Sequence, residues 1–113
     1  MILLIINTAA QIPKLSQLQL LKGRGGQRVR VIEGVAYKWK ELAMSLDFDG
    51  PRIESIEMGA LCKPEEACRQ ILVKWLDGDY DLRGPVTWST LIQSMTDAGL
   101  VDMADKLKEI INY

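Results

Sequence analysis

From residue 29 onward, apolar residues recur at the spacing of a helix turn. Ile32, Val35, Ala36, Trp39, Leu42, Ala43 and Leu46 are separated by three, one, three, three, one and three positions, which puts all seven on one face at 3.6 residues per turn. Lys38, Lys40 and Glu41 fall off that face. Asp47-Phe48-Asp49-Gly50-Pro51 ends this helix and opens the next, with the proline in a first turn where its missing N–H is no loss. Ile53 and Ile56 mark a short second helix with Arg52, Glu54 and Glu57 facing outward. Residues 59–63 predict a loop or a single helical turn. Pro64-Glu65-Glu66 then starts a longer helix, its two carboxylates complementing the N-terminal dipole. Cys68, Ile71, Leu72, Trp75 and Leu76 form its inner stripe. Beyond the polar connector of residues 77–85, Thr87 is a good N-cap for a helix whose inner face is Trp88, Leu91, Ile92 and Met95. Gly99 breaks that helix, and Leu100, Met103, Ala104, Leu107, Ile110 and Ile111 define the last.

No alternating β-branched run competes after residue 31, so the pattern predicts an all-α fold of five or six short antiparallel helices around one core. Three tryptophans, Trp39, Trp75 and Trp88, lie on inner stripes and bring large apolar area to it. Before residue 28 the pattern weakens. Ile12, Leu15, Leu18, Leu20 and Leu21 alternate loosely and run into Lys22-Gly23-Arg24-Gly25-Gly26, a glycine density that marks a loop. The division is residues 1–27 as an extended or disordered N-terminal extension and residues 28–113 as the helical domain. The opening run from Met1 to Ile6 lacks the basic flank of a signal peptide and the roughly 18–20 apolar residues of a membrane helix.

Composition narrows the chemistry. A chain of 113 residues, 48% hydrophobic and 26% charged, has the size and balance of one globular domain. It contains no histidine, which removes the commonest general base, the Ser–His and Cys–His nucleophile pairs and the usual zinc ligand. Cys62 and Cys68 are expected to be reduced thiols, Cys68 as a small core hydrophobe. The formal charge is −1, so no global field draws the chain to nucleic acid or an anionic membrane. The charge is nonetheless uneven: seven basic against three acidic residues over 1–48 give +4, and seven against twelve over 49–113 give −5.

Three motifs fall short of a binding site. Asp77, Asp79 and Asp81 resemble the start of a calcium loop, but the sixth and twelfth positions are Leu82 and Trp88 where an EF-hand needs Gly and Glu. The segment Lys22-Gly23-Arg24-Gly25-Gly26-Gln27-Arg28 lacks the Lys-Ser/Thr of a P-loop. As an RNA-binding segment it is one copy without a nearby aromatic; binding of nucleic acid through the basic stretch 22–40 is the alternative function. Adjacent Glu65 and Glu66 point about 100° apart on a helix and do not converge on a substrate. No catalytic residue and no cofactor is expected.

The order of these blocks resembles the death-domain family. Trp39-Lys40-Glu41-Leu42-Ala43-Met44-Ser45-Leu46 and Ile53-Glu54-Ser55-Ile56-Glu57 are similar to its first two helices, and residues 68–76 to its fourth. Thr87-Trp88-Ser89-Thr90-Leu91-Ile92 resembles its fifth, and residues 100–107 its sixth. The resemblance implies a six-helix Greek-key bundle without enzymatic activity. It further implies a cytoplasmic protein-interaction module that binds other death-fold domains, self-association included, in apoptotic or innate-immune signalling. Nucleic acid, membrane and small-molecule substrates are not implied. Expected partner-binding residues are the acidic connector (Asp77, Asp79, Asp81) with the second-helix exterior (Arg52, Glu54, Glu57), and, on the opposing side, Lys38, Lys40, Arg69 and Lys74.

Overall fold

The computed structural model describes residues 13–78 and 81–111. The first described element is a five-residue helix, α1 (Leu15–Gln19), whose opening is tied by the Gln17 side chain accepting from the Lys14 N–H at 3.0 Å. Such a helix has no stability of its own in water; burial of Leu18 holds it. A two-residue antiparallel pair follows, β1 (Leu21–Lys22) and β2 (Arg28–Val29), with Leu21 opposite Val29 and Lys22 opposite Arg28. The loop between them turns through Gly25 and Gly26 at φ of 67° and 80°, values that glycine adopts without a Cβ clash.

The bundle proper has α2 (Val31–Val35), α3 (Trp39–Ser45), α4 (Gly50–Gly59), α5 (Pro64–Leu76), α6 (Trp88–Asp97) and α7 (Val101–Ile111). Three cap predictions are met or refined. The Asp49 carboxylate accepts from the Arg52 N–H at 2.9 Å at the start of α4, with Pro51 in the first turn. Thr87 Oγ1 accepts from the Thr90 N–H at 3.3 Å at the start of α6. Gly99, at φ 83°, ends α6.

α5 lies at the centre, packed against α1, α2, α3 and α4; α3 also meets α6, and α7 closes over α6 and α2. Every apolar position of the first stripe is buried, and so are Trp39, Trp75 and Trp88, at 6%, 0% and 0% exposure. The Trp75 indole N–H donates to the Arg83 carbonyl at 2.7 Å. Cys62 is an exposed thiol, and Cys68 a buried one whose pKa burial pushes up to about 12, which makes Cys68 an unreactive core hydrophobe.

Two features differ from the sequence reading, and a third, the loop or single turn expected over residues 59–63, is met. The first stripe is not one helix: a 3₁₀ turn at Ala36–Lys38 divides α2 from α3. The region of the third helix, residues 60–63, is a tight turn with Leu61 and Cys62 in the left-handed region at φ 54° and 61°. The six helices over residues 31–111 are therefore reached by splitting the first and reducing the third. Residues 13–27, expected to be extended or disordered, carry α1 and most of the hairpin, and Leu18 and Leu21 sit in the same core as the tryptophans. Apolar residues too few to form a core alone gain stability by completing one that the bundle leaves open. Residues 1–12, including the apolar opening run, lie outside the described residues.

Candidate interaction surface

With the tryptophans enclosed, the outer surface offers charge beside a few exposed apolar side chains such as Tyr37, Met58 and Leu61, and the structure places half of the expected residues in ion pairs. On α3, Lys40 reaches across to Glu57 of α4 with Nζ 2.8 Å from Oε2; this hydrogen bond, together with the attraction of Glu57, raises the Lys40 pKa. Arg52 of α4 bonds Asp81 of the connector at 2.7 Å, approaches Asp49 at 3.5 Å and stacks over the Phe48 ring at 5.5 Å. On α5, Arg69 grips Glu66 with both ends of its guanidinium, at 3.1 and 2.6 Å. Glu54, Lys74 and Asp77 are exposed and carry no ion pair among the described residues. Lys38 is half-buried, its ammonium close to Gly99, where a Cβ would come within 2.8 Å of it. Asp79 lies outside the described residues.

Within one chain, several of the expected acidic and basic residues meet each other. Lys40 and Glu57, assigned to opposite sides, are bonded to each other, and Arg52 is committed to Asp81. Charges that fold within a few ångströms of each other neutralise locally and no longer act as separate patches. Among the described residues of the expected set, Glu54 and Asp77 on the acidic side and Lys38 and Lys74 on the basic side carry no ion pair.

Glu66 gives the surface a measurable pH signature. Hydrogen bonds from Arg69 and then Gln70 hold its carboxyl down at about 2, below its ordinary 4.5. A depressed carboxylate contributes stability above its unfolded pKa and loses it as pH falls toward the folded value. Glu66→Gln should therefore differ from the parent chain at neutral pH and converge with it between pH 4.5 and about 2, as read by melting temperature across an acid titration. Equal differences at pH 7 and pH 2 would show that the bidentate contact is not formed in solution.

Arg83 is the residue that sequence reasoning missed. Its backbone N–H donates to Leu46 O at 3.0 Å and its carbonyl takes the Trp75 indole. Its Nη1 reaches the Ser45 carbonyl and Ser94 Oγ at 3.3 Å each and Asp97 at 2.8 Å. These bonds, with Arg52–Asp81, tie the α5–α6 connector to α3, α4, α5 and α6. Asp97, bonded by Arg83 and Gln93, is shifted to a lower pKa in consequence. Ser94, buried in the core, is satisfied by the same arginine. No local signal near Arg83 announces this, because its partners stand up to 38 positions away.

Two clefts of about 290 and 320 Å³ open on the surface. The first lies where α1 meets α2 and α5, walled by the Arg30–Glu33 and Arg69–Glu66 pairs; the second runs between Gly34, Tyr37 and the start of α7. No tryptophan lines either. Among the described residues, no cluster of three or more metal-ligating side chains occurs, and no helix is long and apolar enough to cross a membrane.

The bundle is closed, its core filled and its exterior charged and cross-linked by ion pairs. The Death domain family model matches residues 29–111, and the chain belongs to the death-domain family. That match begins inside the β-hairpin, so α1 and β1 lie outside it. No curated protein and no solved structure gives a significant match.

Proposed function

We propose that the chain is a non-enzymatic adaptor module that associates with like domains in cytoplasmic signalling of the apoptotic or innate-immune kind. The family generally mediates protein–protein interaction, and the observation that carries the reading to this chain is the complete enclosure of Trp39, Trp75 and Trp88. The large aromatic surface is spent on the core, leaving charged side chains on a rigid bundle for recognition. Individually weak charged contacts gain strength when many copies assemble. The acidic connector is the contact surface, held in place by Arg83 and by Asp81–Arg52.

The experiment follows from which carboxylates are unpaired. Reversing Asp81 would set a lysine against Arg52 and disturb the fold, so Asp77→Lys combined with Glu54→Lys is the cleaner variant. Self-association measured by sedimentation velocity should weaken by about tenfold or more, while the melting temperature moves by no more than a surface substitution does. Wild-type association in the double variant rejects the connector as the contact surface.

A further inference from the structure

Five cations among the described residues are ion-paired and several lysines are not, but one unpaired couple is set face to face by strand register. Lys22 and Arg28 stand directly opposite each other across the β1–β2 pair, both exposed, while their neighbours Leu21 and Val29 turn into the core. Side chains so placed share a face at about 4.5–5.5 Å between Cβ atoms, and like charges there oppose pairing. Neither is ion-paired among the described residues, whereas Arg30, Lys40, Arg52, Arg69 and Arg83 all are.

The hairpin is also built to hold its shape. Leu21 and Val29 anchor its base, and the Gly23 N–H donates to Gln27 O at 2.7 Å. Its tip stands clear of the bundle: no atom lies within 4 Å of where a Cβ on Gly25 or Gly26 would sit. Arg24 adds a third basic residue to the loop in sequence. A repulsive cross-strand pair is relieved when an anionic group docks between the two cations.

We infer that the β-hairpin, through Lys22 and Arg28, is a docking surface for the acidic α5–α6 connector of a second copy of this chain. The inference rests on the homotypic reading above and names the basic half of the contact, whose Lys22 and Arg28 both precede the segment matched by the family. Charge complementarity selects the occupant. Residues 77–82 hold three aspartates and no basic residue, whereas the acidic residues of α7 alternate with Lys106 and Lys108. Asp77 carries no ion pair among the described residues, while Asp81 is bonded to Arg52 of its own chain. A nucleic acid brought to the hairpin would meet a chain that carries −5 over residues 49–113, and residues 21–29 contain no aromatic on which a base could stack. Hairpin and connector are different surfaces, so each copy gives one and receives one, a head-to-tail arrangement that builds rings or filaments.

Three variants test this: Lys22→Glu, the double Lys22→Glu/Arg28→Glu, and Asp77→Lys. Lys22→Glu turns the repulsive pair into an attractive one, and its melting temperature should rise by about 1–4 °C while self-association weakens. That opposite movement would not come from a merely structural role. The double variant should associate at least about tenfold more weakly in sedimentation velocity, and raised salt should weaken the wild type in the same way. Mixing the double variant with Asp77→Lys should restore association, because each then presents the charge the other lacks. Wild-type strength in the double variant overturns the hairpin assignment while leaving the connector test to stand or fall separately. Failure of the mixture to recover overturns the connector as occupant, as does absence of self-association by the wild-type chain. Retention of a 20-nucleotide RNA by the wild type, lost in the double variant with self-association unaltered, assigns the hairpin to nucleic acid instead.

Discussion

Trp75→Ala is expected to destabilise the protein by about 3–5 kcal/mol, a large share of the roughly 5–15 kcal/mol that holds a domain of this size. Two losses combine. The indole is fully buried against α5's neighbours, so truncation leaves a cavity in the centre of the core. Its N–H also satisfies the Arg83 carbonyl at 2.7 Å, and that acceptor would be left without its donor. Trp75→Phe separates the two: it keeps most of the apolar volume and removes the donor, so a cost of about 1–3 kcal/mol is expected. Urea titration of both variants checks the pair. If Ala and Phe cost the same, packing at Trp75 is not what closes the core; if neither is destabilised, the assignment of the indole to the interior is wrong. Because Arg83 also gathers Ser45, Ser94 and Asp97, the Phe variant should loosen the connector before it loosens the helices, seen as faster amide exchange near residue 83.

The fold was legible where a helix face is written in consecutive turns. All seven residues of the Ile32–Leu46 stripe are buried, yet the backbone under them is broken by a 3₁₀ turn. Periodicity reports which face is apolar and is nearly blind to a local tightening that keeps the same residues inward. The turn at residues 60–63 was legible as a loop or single turn, but its backbone was not, because Leu61 and Cys62 adopt a left-handed conformation that residues other than Gly and Asn rarely take. No glycine stands there to announce it. The interaction surface was less legible still. Which residues are charged is plain in the sequence, but which are already paired is not: Lys40 meets Glu57 across 17 positions, and Arg52 meets Asp81 across 29. Such contacts follow from how helices pack, and only the packed structure separates committed charges from free ones. Lys22 and Arg28 show the reverse case. Six positions apart in a glycine-rich loop, they read as solvated until strand register sets them face to face.

Leu18→Ala should destabilise by about 2–5 kcal/mol, toward the lower end, although the position precedes the segment matched by the family. Leu18 is wholly buried with Leu21 in the bundle's own core, over α2 and α5. A five-residue helix at the edge can detach without the rest unfolding, and the free energy of that local opening sets a ceiling on the cost. Leu18→Asp takes the argument further, since an ionised carboxylate has no place among those side chains. It should release residues 13–22 while α5 and α6 keep their protection in hydrogen exchange. The released form uncovers part of Val31, Ile32 and the adjoining face of α5, so a chain beginning at residue 28 should be less stable than Leu18→Ala and more prone to aggregate. A loss below about 0.5 kcal/mol in Leu18→Ala, the range of an ordinary surface substitution, would show that α1 adds nothing to the fold and that the domain does begin at the hairpin. The expected loss instead makes the extension a structural part of the domain, and it fixes the base from which Lys22 and Arg28 project.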